Sequence, residues 1–155
     1  MDADIKKLVA EMFELISKNN GIGLSAPQIG VLKRVIIAEY DNDHAHSAAH
    51  NKAGKENHVP RTVLINPKII WMSKKEVLDE EGCLSFPNIY GMVRRPERIR
   101  CQALDEKGKP IKFKASGLLA RVIQHEVDHL DGVLFVDKLE GDPYTYEVQS
   151  TEIRE

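Results

Sequence analysis

The stretch that most limits the fold is Gly117 to Leu130, GLLARVIQHEVDHL. Leu118, Leu119, Val122 and Ile123 recur at helical spacing, so this segment reads as a helix that is mostly core. Ser116 stands at its N-cap position and Gly132 just past its end. Other elements must pack around a helix of this kind. It also carries polar cargo. His125 and His129 are four apart and share a face, so both imidazoles can point at one ion. Glu126 sits about 100° around from His125. There it can flank the ion without ligating it and take a proton from water, which is the mechanical content of HExxH. The alternative is a core helix with two satisfied histidines. A carboxylate beside an apolar face is costly to bury unpaired, which favours the metal reading.

The remaining chain supplies the packing partners. Asp4 to Lys18 reads as an amphipathic helix, with Ile5, Leu8, Val9, Met12, Leu15 and Ile16 on one face. Asn19-Asn20-Gly21 ends it, and GIGLSAPQIG follows as an irregular loop. Arg34 to Tyr40 and Thr62 to Pro67 read as strands, separated by a long, mobile polar loop from Asp41 to Arg61. KKEVLDEEGCLSFP holds a short strand and then a turn at Glu81-Gly82. Arg98 to Leu104 and Pro110 to Ala115 alternate as the two arms of a hairpin. VLFVDKL reads as a last strand or extended segment, and residues 140–155 as a frayed polar tail. The order predicts one α+β domain over residues 1–155, with strands packed around the HExxH helix and an N-terminal helix beside them.

Two histidines leave a catalytic site one ligand short, since three protein ligands and an open position are usual. An extended HExxHxxGxxH motif would put a histidine at position 135, which is Phe135. Glu140 and Glu147 are carboxylate options, but neither lies on a convincing second helix. Cys101 falls on the inward face of the hairpin, where a small core residue is expected. Cys83 lies in EEGCLSFP, outside the regular pattern, where a thiolate can be aimed at an ion. Two imidazoles and a thiolate suit a softer first-row metal.

GIGLSAPQ (Gly21 to Gln28), EGCLS (Glu81 to Ser85) and QHEVDHLDG (Gln124 to Gly132) resemble the three signature motifs of peptide deformylases, in the family's order. The likeness covers about residues 4 to 138. It implies a hydrolase that removes the formyl group from the N-terminal formyl-methionine of new chains and releases formate. It implies Cys83, His125 and His129 as ligands of one divalent ion, ferrous iron in the cell, with zinc, nickel or cobalt able to substitute. It implies Glu126 as general base and acid, with Gln28 and the Leu84 backbone N–H as donors to the formyl oxygen. Gly21, Ile22 and Gly23 would line the peptide groove, and Leu118 and Val122 the methionine pocket, unless these two belong wholly to the core. Glu81 would brace the site. Asp128 is either a solvated charge or a partner that orients a ligand. His44, His46, His50 and His58 read as solvated loop residues, with an adventitious metal site as the alternative. The chain starts closer to its first helix than the family usually does. Its short polar tail weakens the ribosome docking that family members with a long C-terminal helix can make.

Composition narrows the partners. The net charge of -2 gives no basic footprint for direct nucleic-acid binding. No apolar run approaches a membrane span, and MDADIKKLVAEMF lacks the basic start of a signal peptide. The expected compartment is the cytoplasm, the expected partners are nascent formyl-methionyl chains met in a transient ribosome encounter, and the two cysteines are expected to stay reduced. The rival readings are a small HExxH zinc endopeptidase with a carboxylate third ligand, and a non-catalytic peptide-binding homologue. Cys83→Ala separates the enzymes: metal-dependent turnover should vanish in a deformylase and survive nearly intact in such an endopeptidase, read by formate release against peptide-bond cleavage.

Overall fold

The computed structural model describes residues 2–41 and 58–146. Helix α1 spans Ala3–Lys18; Asp2 caps it, its side chain accepting from the Asp4 N–H at 3.0 Å. The helix ends at Asn19, and Asn20 takes the left-handed φ of 53°. Gly21 closes the turn through its N–H, which donates to the Ile16 carbonyl. Strand β1 (Gly23–Ser25) leads into a 3-10 turn over Ala26–Ile29, and then come β2 (Val35–Tyr40) and β3 (Val59–Met72). Strands β4 (Glu76–Cys83), β5 (Phe86–Pro96), β6 (Arg98–Leu104) and β7 (Pro110–Ser116) precede helix α2 (Gly117–Leu130). A second 3-10 turn (Phe135–Lys138) and β8 (Leu139–Tyr144) follow.

The strands form two antiparallel sheets, ordered β1-β2-β3-β6-β7 and β4-β5-β8. The larger sheet is sandwiched over part of its width. Val35, Ile37 and Val63 turn to one side and bury the apolar stripe of α1: Leu8, Val9, Met12, Phe13 and Ile16. Ile36, Leu64, Ile99, Cys101 and Ala103 turn to the other side and receive Ala120, Ile123 and Val127 of α2. Side chains alternate across a strand, so neighbours such as Ile36 and Ile37 serve opposite helices. The expected α+β architecture is therefore the observed one, with α2 against one side of the larger sheet.

Several local expectations give way. The strand predicted to stop at a Glu81-Gly82 turn runs on to Cys83, because Glu81 and Gly82 pair with Gly91 and Tyr90 across the β4–β5 ladder. Strand β5 has no counterpart in the sequence reading. VLFVDKL is a 3-10 turn at Phe135–Lys138 rather than an extended strand. The tail is ordered through its first part: β8 pairs with β5, and Arg94 holds Glu140 with bonds of 2.7 and 3.1 Å. Val59 to Arg61, read as loop, open strand β3. Ser116 occupies the N-cap position without a capping side-chain bond. Residues 42–57 of the polar segment, with His44, His46 and His50, lie outside the described residues, as does Glu147, while His58 is exposed just before β3.

Ile37 is fully buried between its sheet and α1. Ile37→Ala should cost roughly 2–5 kcal/mol of folding stability. Urea unfolding should show this as a lowered midpoint with the slope unchanged.

Candidate metal centre

Three elements meet at the site. Strand β4 brings Glu81 and Cys83, α2 brings His125, Glu126 and His129, and the turn after β1 brings Gln28. The Cys83 Sγ lies 3.2 Å from the His129 Nε2, which is 3.2 Å from the His125 Nε2. One ligand atom from each residue lies within 4.8 Å of the others. Position 135 also enters the site, but as packing: the Phe135 ring is buried and stacks on His125, with centroids 5.9 Å apart.

His125 is aimed by Glu81. Its Nδ1 lies 2.8 Å from the Glu81 Oε1, so Nδ1–H donates there and Nε2 keeps its lone pair for the centre of the cluster. Glu81 is itself saturated. Oε1 also accepts from the Arg95 Nη2 at 2.9 Å, while Oε2 accepts from the Arg95 Nε at 2.6 Å and the Arg121 Nη1 at 2.7 Å. Burial would raise this carboxyl; the bonds from His125 and Arg95 overcome it and hold the group at about 2. Arg95 reaches on to Asp128 at 2.8 Å, and Lys138 pairs with the same oxygen at 3.0 Å. Asp128 is therefore a partner one bond further out, acting on His125 through Arg95 and Glu81. Arg121 completes its own bonding on the Val93 and Val77 carbonyls.

The donor set fits a cation. Burial would raise the Cys83 thiol, yet its bonds with His125 and His129 pull it down to about 5, so a thiolate is favoured near neutral pH. Burial likewise opposes charge on His125, and Cys83 and Glu81 outweigh it and raise its pKa. Two imidazole nitrogens and a thiolate thus converge where positive charge is called for. A divalent ion of the softer first-row type satisfies that demand better than a shared proton.

Glu126 contrasts with Glu81. It is buried, and its Oε2 has no hydrogen-bond partner among the described residues. Burial pushes it up to about 7, a value at which a carboxyl can both take and give a proton. Gln28 is fixed at its oxygen end: Oε1 accepts from the Ser25 N–H at 2.8 Å and from its hydroxyl at 2.9 Å. The amide orientation follows, with Nε2 donating to the Ser85 Oγ at 3.0 Å and lying 3.4 Å from the Cys83 Sγ.

A cleft of about 410 Å³ opens beside these groups. Gly21, Ile22, Gly23, Leu84, Leu118 and Val122 all border it, along with Cys83, His125 and Glu126. Leu118 and Val122 serve cleft and core at once, since Val122 also packs on Ala38 and Val59. Gly23 is glycine for a steric reason: a Cβ there would stand 2.7 Å from the Val122 Cγ1 and 3.0 Å from the Glu126 Oε1. Glu140 is spent on Arg94, which removes it as a third ligand. Cys101 is buried in the core as expected. Sequence reasoning missed Arg95 and Arg121. The signal was present in GLLARVI, where a charged residue stands inside an otherwise apolar helical run.

Comparison with known proteins agrees with this geometry. The model of the polypeptide deformylase family matches residues 1–143. Peptide deformylase 2 of Gloeobacter violaceus is 47% identical over 138 residues, covering 89% of this chain and 67% of that protein. The peptide deformylase of Thermodesulfovibrio yellowstonii is 44% identical over 139 residues, covering 90% of this chain and 76% of that one. A crystal structure of peptide deformylase from Ehrlichia chaffeensis superposes with a TM-score of 0.77 at 40% identity, covering 90% of this chain and 76% of the other. One from Synechococcus elongatus in complex with actinonin gives 0.77 at 39% identity, covering 90% and 68%.

Two outcomes are expected for Glu81. Glu81→Gln should leave two buried guanidinium groups short of charge and misdirect His125, lowering metal affinity roughly 10–100-fold, as read by chelator competition. Because its pKa is depressed, Glu81 contributes stability that is fully present above about 4.5 and lost as pH falls through about 2. Urea unfolding of metal-free protein across that window should show this loss in the wild type and little of it in Glu81→Gln.

Proposed function

The chain belongs to the polypeptide deformylase family, and on that premise we propose which residues carry its chemistry. It is an enzyme, a deformylase that removes N-formyl groups from nascent polypeptides. The family is metal-dependent. What supports the residue roles is the convergence of Cys83, His125 and His129 beside the orphaned carboxylate oxygen of Glu126.

In this reading Cys83, His125 and His129 would hold one divalent ion, ferrous in the cell and replaceable by zinc, nickel or cobalt. Bound there, it would supply the Lewis acidity that makes water reactive near neutral pH. Glu126 accepts the proton of the attacking water on its unpartnered Oε2 and later gives it to the departing amine, for which a value of about 7 suits both transfers. Gln28 donates through Nε2, and Leu84 through its backbone N–H, to the formyl oxygen as charge grows there. The Ser25 bonds keep the Gln28 amide from turning away. Gly21, Ile22 and Gly23 align the peptide, and Leu118 and Val122 receive the methionine side chain. The single domain acts on formyl-methionyl chains in the cytoplasm, in passing encounters with the ribosome. No helix among the described residues is long and apolar enough to cross a membrane.

The test is formate release from a formyl-methionyl tripeptide by protein loaded anaerobically with ferrous iron or nickel, with mass spectrometry of the remaining peptide. Formate with intact peptide bonds is expected; cleaved bonds would give the case to an endopeptidase. Glu126→Gln should lower kcat by about 10²–10⁴ with the metal still bound. Removing the Gln28 donor as Gln28→Ala should cost on the order of 10²–10³.

A further inference from the structure

Among the described residues, part of one face of the larger sheet is left uncovered. Helix α2 covers one side of it, and α1 covers the other side only across β1, β2 and the start of β3. Beyond α1, the side chains facing away from α2 can be read from the ladders. Ile99, Cys101 and Ala103 turn to the core, so Arg98, Arg100 and Gln102 turn outward. Lys68 and Lys112 flank Gln102 on the neighbouring strands, Trp71 and Lys114 flank Arg100, and Ser116 lies opposite Arg98.

This outward grid holds Lys68, Arg98, Arg100, Lys112 and Lys114 and not one carboxylate. All five are exposed, and none has an ion-pair partner among the described residues. The acids nearby are engaged at the margins, Glu97 by Lys75 and Glu106 by Arg61. Arg100 and Lys114 stand directly opposite each other, an arrangement of like charges that weakens a sheet. At the border the Arg100 guanidinium lies 5.2 Å from the centre of the Trp71 ring, which is 42% exposed. The net charge of -2, from which no basic footprint was expected, thus conceals a concentrated positive field on one flat face.

We propose that this face docks RNA, its cations neutralising backbone phosphates and Trp71 with Arg100 offering a surface on which a base can stack. Regularly spaced cations with an aromatic at the border are the chemistry of single-stranded nucleic-acid recognition. The face points away from α2, whose residues Leu118, Val122, His125 and Glu126 line the cleft. Docking there leaves the cleft open, and the substrates of this enzyme are made on an RNA-rich particle. The inference does not depend on the residue roles assigned above, because binding is read without turnover.

The experiment is fluorescence anisotropy of a labelled uridine-rich single-stranded RNA with the metal-loaded enzyme over a range of salt. If three to five phosphates are neutralised, the logarithm of the binding constant should fall with that of salt at a slope of about -2 to -3.5. The triple variant Arg100→Gln, Lys112→Gln, Lys114→Gln should bind at least tenfold more weakly and with a shallower slope, while its formyl-peptide turnover stays unchanged. Its melting temperature should not fall, since it relieves a repulsion. If it does fall, Lys112→Gln and Lys114→Gln singly carry the same test. Trp71→Ala should weaken binding fivefold or more. Absence of RNA binding at low salt, equal binding by wild type and triple variant, or tighter binding to phosphatidylglycerol vesicles than to RNA would each overturn the proposal.

Discussion

One buried carboxylate organises the centre of this molecule. Glu81 accepts four hydrogen bonds, from His125, Arg121 and twice from Arg95. Taking an anion and two guanidinium groups out of water is expensive, and incomplete pairing would make it prohibitive. Here each oxygen of Glu81 is met twice, and the bonds join β4, β5 and α2. The smaller sheet is thus tied to the central helix through charge, whereas the larger one is tied to both helices by apolar packing. The same bonds settle which nitrogen of His125 faces the cluster with Cys83 and His129, so the fold and the aim of that imidazole share one cause.

The two buried glutamates show how environment divides labour between chemically equal groups. Glu81 is surrounded by donors and held at about 2; Glu126, on the next residue to His125, meets none at its Oε2 and rises to about 7. A carboxylate that stays ionised far below neutral pH is a fixed brace. One that titrates near neutrality and lacks a partner is available for proton transfer. Pairs pushed apart in this way mark the acid-base assignments of a site, and the difference here arises because the donors of Arg95, Arg121 and His125 all converge on Glu81 while Glu126 is buried without one at its Oε2.

The helices and the β6–β7 hairpin were legible because their apolar positions repeat with the right period. In the hairpin Ile99, Cys101 and Ala103 pair with Ala115, Phe113 and Ile111 as the alternation predicted. Strand β5 was hidden by its arginines. Its inward positions are Gly91, Val93 and Arg95, the last only 2% exposed. Counted as polar, Arg95 breaks the alternation; counted as buried, it completes it. Only knowledge of Glu81 across the ladder distinguishes the two. Strand β8, LEGDPY, has no strand-like composition at all. It exists through its pairing with β5 and through Tyr144 and Tyr146, whose hydroxyls both donate to Glu80. The pairing of His125 and His129 could be read from spacing on one helix, but Cys83 arrives from a strand of the smaller sheet. That distance in sequence is why residue patterning left the third member of the cluster open and motif resemblance was needed to name it.

The shape of the cleft bears on how selective such a site can be. Strand β1 is the edge of its sheet, paired to β2 on one side only. Gly21 and Gly23 bring bare backbone to the cleft wall, and a side chain at Gly23 would collide with Val122. A strand edge that borders a cleft can recognise an extended peptide through main-chain hydrogen bonds, which are blind to sequence. Discrimination must then come from the side chains that line the cleft, among them Leu84, Leu118 and Val122. A stretch of glycine backbone in the wall, with apolar side chains such as Leu84, Leu118 and Val122 around it, suits a site that grips main chain more than side chains. The glycine needed for close packing of α2 is also what keeps that wall featureless.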